Sequence, residues 1–163
     1  FANRFHVLAN SLKRARGWDE TAREIATRAI AQPGDEPPFT AVMVDHRALY
    51  YELAYYWRDA RRAGAPLPPV RMWMLHADAR NAAEQTDPMR REEGGRVLVV
   101  HMNPGLATFV AGDFTTFRTV EHLAIPLGGG INRELELSVG EGFAPVTRDA
   151  AFEARVRGDD EDN

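Results

Sequence analysis

Three short apolar runs separated by helical patterns constrain this chain more than any other feature. They are Phe39-Thr40-Ala41-Val42-Met43-Val44, Val70 to Leu75, and Arg96 to Met102 with Val97-Leu98-Val99-Val100 at its centre. Each is short and carries β-branched residues, so each predicts a strand. The runs are continuous rather than alternating, as strands covered on both faces must be. A helix is expected from Arg47 to Arg62, with Leu49, Leu53, Tyr56 and Ala60 as its inward stripe. It stops before Gly64, and Pro66, Pro68 and Pro69 stiffen the loop that follows.

Upstream, Asp19 is expected to cap a helix whose apolar face is Ala22, Ile25, Ala26, Ala29 and Ile30, ended by Gln32-Pro33-Gly34. A polar stretch with a short helix near Asp87 to Glu93 closes at Gly94-Gly95. Alternating strands and helices imply parallel pairing with right-handed crossovers. After Asn103-Pro104-Gly105 the pattern changes. Phe117 to Leu127 and Ile131 to Val139 predict an antiparallel hairpin turning at Gly128-Gly129-Gly130. The expected fold is a three-layer α/β/α sandwich with a mainly parallel, Rossmann-like sheet and an antiparallel C-terminal hairpin.

The 163 residues suffice for one domain with its own core. The expected division is a membrane-proximal helix over 1–16, an α/β domain over 17–150 and an acidic, disordered tail over 151–163. Phe1, Phe5, Leu8 and Leu12 give the first its helical spacing, and Lys13, Arg14 and Arg16 read as its solvated end. Asp159-Asp160-Glu161-Asp162 give the tail its charge. The first residue is Phe1 rather than methionine, and the expectation is a piece of a longer polypeptide.

Several function classes lose support. A formal charge of -4 offers no general attraction for nucleic acid, and the arginines are interleaved with acids. With no cysteine there is no disulfide, thiolate zinc site or cysteine nucleophile. No apolar stretch approaches the roughly 20 residues that span a bilayer. The phosphate-loop, GxGxxG, GxSxG and HExxH patterns are missing.

What remains is a set of polar residues at strand ends. His46, His76 and His101 each follow an expected parallel strand, with Asp45 and Asp78 beside two of them. Ligands of open parallel sheets bind at the carboxyl ends of strands. Imidazoles and carboxylates gathered there are able to bind a metal or to act as acid and base. The competing reading is structural: Asp45 is a good helix cap, and a strand-end histidine is often a hydrogen-bonded boundary residue. No catalytic residue and no metal ligand is assigned. The helix from Arg47 holds all four tyrosines, Tyr50, Tyr51, Tyr55 and Tyr56, plus Trp57. Tyr51 and Tyr55 are its candidates for an exposed aromatic surface.

The order Arg16-Gly17-Trp18-Asp19-Glu20, then Asp45-His46-Arg47 opening a tyrosine-rich helix, then Arg80-Asn81 with Glu84, Thr86 and Pro88, then the Val97 to Val100 strand, resembles a specific module. It looks like the C-terminal soluble domain of bacterial family 39 membrane glycosyltransferases, relatives of the protein mannosyltransferases and aminoarabinose transferases. The resemblance runs from about Gly17 to Val100 and more loosely to Phe143. It adds Arg80 and Asn81 to the candidate crevice of Asp45, His46, His76, Asp78 and His101. It implies a parent in the cytoplasmic (inner) membrane that transfers a sugar from a polyprenyl-phosphate donor, with this domain periplasmic or extracellular. The implied partners are the membrane portion of the same polypeptide and an acceptor lipid or glycan. A divalent metal, where one is used, would belong to that membrane portion, and no cofactor to this domain. The implied role is to position the acceptor or cover the active-site cavity. An independent α/β binding module, or a small metal-dependent enzyme using the strand-end crevice, remains the alternative.

Overall fold

The computed structural model describes residues 17–31 and 34–162. The expected helix over 1–16, its basic cluster and the Gln32-Pro33 stop lie outside the described residues.

Helix α1, Trp18–Ile30, buries Thr21, Ala22, Ile25 and Ala29. Its N-cap is Gly17, whose φ of 75° a side chain would strain, and Asp19 sits inside the first turn instead of capping it. Strand β1, Ala41–Val44, is buried at every position. Helix α2, Arg47–Tyr56, and helix α3, Arg58–Arg62, replace the single helix expected, because the chain bends at Trp57. The inward stripe also differs from the one expected. Leu49, Leu53 and Trp57 are buried, whereas Tyr56 is 40% exposed and Ala60 is exposed.

Strand β2, Val70–Met72, is followed by helix α4, Ala82–Thr86, and a 3-10 turn, Arg91–Glu93. Strand β3, Arg96–His101, leads through a second 3-10 turn, Pro104–Leu106, into helix α5, Ala107–Ala111. The 15-residue β4, Phe114–Gly128, and the 13-residue β5, Ile131–Phe143, form the hairpin. Its two-residue turn, Gly129 and Gly130, has positive φ at both positions, as a type I′ turn requires. Helix α6, Ala150–Asp162, carries the acidic run on a helix where the sequence reading has a disordered tail. Its Phe152 and Val156 are buried, and the Phe152 ring meets Phe109 edge-on at 5.7 Å.

The strand order is β2-β1-β3-β5-β4. β1 runs parallel to β2 and β3, while β5 runs antiparallel to both β3 and β4. The expected mainly parallel, Rossmann-like sandwich is therefore wrong: the sheet is mixed, and its longest ladders are antiparallel. The cause lies in the hairpin. A two-residue turn makes β5 the antiparallel neighbour of β4, and β5 then docks against β3 instead of remaining at the rim. It thereby separates β3 from β4, which run in the same direction without pairing. Two apolar layers sandwich the sheet. One joins Val42, Val44, Leu98 and Val100 to α1 and α2, and the other joins Ala41, Met43, Val97 and Val99 to Trp73, Val110 and Phe114. Among the described residues no helix is long and apolar enough to cross a membrane.

Candidate functional site

A crevice of about 410 Å³ opens at the carboxyl ends of β1 and β2. Of the residues singled out from the sequence, Asp45, His46, His76, Arg80 and Asn81 line it, joined by Arg47, Trp73 and Glu84. Asp78 and His101 do not. The sheet ends supply the floor, the start of α2 one wall and the start of α4 the other.

Each polar group has a local reason for its place. Asp45 does not cap α2. Its carboxylate accepts the Met102 and Asn103 amides at 2.8 and 3.0 Å, pinning the end of β3 to the end of β1. The cap is His46, whose Nδ1 accepts the Ala48 amide at 3.0 Å. Asn81 caps α4 by accepting the Glu84 amide at 2.9 Å, and the Glu84 carboxylate returns to Asn81 Nδ2 at 2.6 Å and to the Arg80 amide at 3.2 Å. This is the reciprocal pattern of a capping box. His76 places Nδ1 at 3.1 Å from the Glu153 carboxylate on α6.

His101 is 2% exposed and lies behind Asp45, its Nδ1 3.9 Å from the Asp45 carboxylate. Among the described residues neither ring nitrogen has a hydrogen-bond partner, and Phe117 meets the ring edge-on at 5.8 Å. Burial lowers the pKa of His101, with Asp45 and Glu136 opposing the shift. Burial raises the Asp45 carboxyl, with the two amides and His101 opposing. His101 instead borders a separate cavity of about 100 Å³ with His122, Glu134 and Glu136. Among the described residues no three metal-ligating side chains form a metal-binding group.

Tyr51 and Tyr55 are exposed, at 49% and 60%, on the outer side of α2. Each stacks edge-on with its neighbour, Tyr50 at 5.1 Å and Tyr56 at 4.9 Å, and Arg58 lies over the Tyr55 ring at 5.3 Å. Neither lines the crevice.

Both Asp45 oxygens and one Glu84 oxygen already accept hydrogen bonds, which fix the two carboxylates in place. The residue reading overlooked Trp73 and Glu153 in this region. Nothing local marks Glu153, which meets His76 from 77 residues away, whereas the Asn-x-x-Glu spacing of Asn81 and Glu84 was a readable cap signal. No family model matches the chain, and neither a curated protein nor a solved structure matches it.

Proposed function

We propose that this chain is the extracytoplasmic soluble domain of a membrane glycosyltransferase using a polyprenyl-phosphate sugar donor, and that its crevice positions the acceptor lipid or glycan. One observation carries the reading. Two of the four segments on which the family resemblance rests, Asp45-His46-Arg47 and Arg80-Asn81 with Glu84, are more than thirty residues apart in sequence and line one crevice. The ordering groups around that opening support a binding role, since Asp45 and the Asn81–Glu84 cap hold the walls rigid.

The test has two arms. The reading frame that contains this chain is sequenced upstream of Phe1, where several apolar spans of roughly 20 residues are expected. In that parent protein, Arg80→Ala with Asn81→Ala should reduce sugar transfer to the acceptor, while the isolated chain transfers none. A frame without such spans, or robust transfer by the isolated chain, overturns the reading.

A further inference from the structure

The hydrogen-bonding capacity around the crevice is lopsided, and that identifies the chemistry of its ligand. The carboxylates facing it are partly engaged: Asp45 at both oxygens by the Met102 and Asn103 amides, Glu84 at one oxygen by Asn81 and the Arg80 amide. Asn81 gives its carbonyl to the Glu84 amide and its amide to the Glu84 carboxylate. The donors are not engaged. Arg47 and Arg80 are exposed side chains at the crevice, and no described residue forms an ion pair or hydrogen bond with either guanidinium. Other arginines of the chain are held, Arg28 by Glu24 and Glu121 and Arg71 by Asp87 and Glu93. His46 accepts a backbone amide at Nδ1, so its neutral ring carries the proton on Nε2 and is a third donor. Helix stability does not account for Arg47. It is the first residue of α2, where a cation meets the positive end of the helix dipole, and the first turn contains no acid.

We propose that the crevice binds an oxyanion, the phosphate, phosphodiester or carboxylate group of its ligand, through Arg47, Arg80 and His46 Nε2. This rests on the reading of the crevice as the acceptor site and narrows that acceptor to an anionic one. Planar guanidinium forks suit tetrahedral phosphate and planar carboxylate oxygens equally, and a neutral sugar would gain no charge-assisted pair of bonds from them.

The experiment titrates the 163-residue chain, labelled with ¹⁵N, with inorganic pyrophosphate, with glucuronate and with glucose, following amide shifts. Pyrophosphate or glucuronate should shift Ala48, Arg80 and Asn81 saturably, more weakly as salt rises, while glucose leaves them in place. Arg47→Gln and Arg80→Gln should each weaken anion binding about ten-fold or more. Both residues are exposed, and unchanged spectra elsewhere verify the fold. The proposal is overturned by equal affinity in the double variant, by shifts centred on Arg58 and Arg61 instead, by a response to glucose alone, or by no response to any probe. Phosphatidylglycerol vesicles then separate the sources of the oxyanion. Co-sedimentation displaced by pyrophosphate identifies a lipid headgroup, absence of co-sedimentation identifies a water-soluble anion, and vesicle binding that survives the double substitution counts against the crevice. Failure of the domain reading shows elsewhere, in the upstream frame and the transfer assay.

Discussion

The fully buried Asp113 carboxylate accepts both terminal nitrogens of the Arg148 guanidinium, at 2.9 and 2.6 Å. The same carboxylate takes the Trp73 indole N–H at 2.7 Å and the Val146 amide at 2.9 Å, and Arg148 also donates to the Met74 carbonyl. One ion pair thus fastens the segment after β2, the start of β4 and the approach to α6. Removing one partner strands the other charge in the interior, a loss of about 3–5 kcal/mol. Arg148→Ala should therefore lower the free energy of unfolding in urea by that amount. A loss below about 1 kcal/mol would show that the pair is not the fastening it looks like.

The buried Asp45–His101 neighbours predict a pH dependence with a defined sign. Burial holds His101 below its ordinary value of 6.5, so the unfolded chain takes up a proton that the folded chain refuses. Stability falls as pH drops below about 6.5. Asp45 works in the opposite sense. Its raised carboxyl contributes stability that is fully present below the ordinary 3.8 and is lost as pH climbs through the folded value. Urea midpoints at about pH 7.5 and about pH 5.5 should diverge for the parent chain and draw together in His101→Leu. Glu136, also facing the ring, stays in both proteins and keeps the comparison clean.

Two glycines should respond oppositely to alanine. A Cβ at Gly94 would lie 2.3 Å from Phe143 Cβ and 3.1 Å from the Phe143 backbone, at the place where the Phe143 amide donates to the Gly94 carbonyl. Gly94→Ala should cost about 1–3 kcal/mol. Gly158 lies within α6 with nothing within 4 Å of its would-be Cβ. Gly158→Ala should gain up to about 1 kcal/mol through helix propensity. Thermal melts of the two variants, moving in opposite directions, are the check.

Trp57 and Tyr56 exchange the roles expected of them. Trp57 is 2% exposed, and its indole donates to the Ala22 carbonyl at 2.8 Å, tying α2 to α1. Trp57→Phe removes that hydrogen bond and part of the buried indole's packing, and should cost about 1–3 kcal/mol. Tyr56→Ala, at an exposed position, should stay within about 0.5 kcal/mol. Equal losses in chemical denaturation would contradict the burial of Trp57 and the exposure of Tyr56.

Much of the local structure could be read along the chain, because its signals are local. β1, β2 and β3 fall within their apolar runs, the hairpin strands extend those expected by a few residues, and Arg47 begins α2. The short helices were harder. α4 and α5 have five residues each and show no full period. α6 is apolar only at two buried positions ahead of an acidic run, which composition alone reads as disorder. Within the site, adjacency at strand ends rightly grouped Asp45, His46 and His76, and the resemblance added Arg80 and Asn81. The same rule misplaced His101, whose side chain turns to the far side of Asp45.

The sequence alone carried the five strands and helices α1 and α2, since period, turn residues and strand-breaking prolines act over a few residues. It also placed the polar groups at strand ends. The sheet order, with β5 inserted between β3 and β4, was settled on folding, because strand pairing is a contest among surfaces distant in the chain. Tertiary structure likewise decided which charges are neutralised. Asp113 finds Arg148 and His76 finds Glu153 only after folding, and Arg47 and Arg80 come to face the crevice with neither guanidinium paired among the described residues.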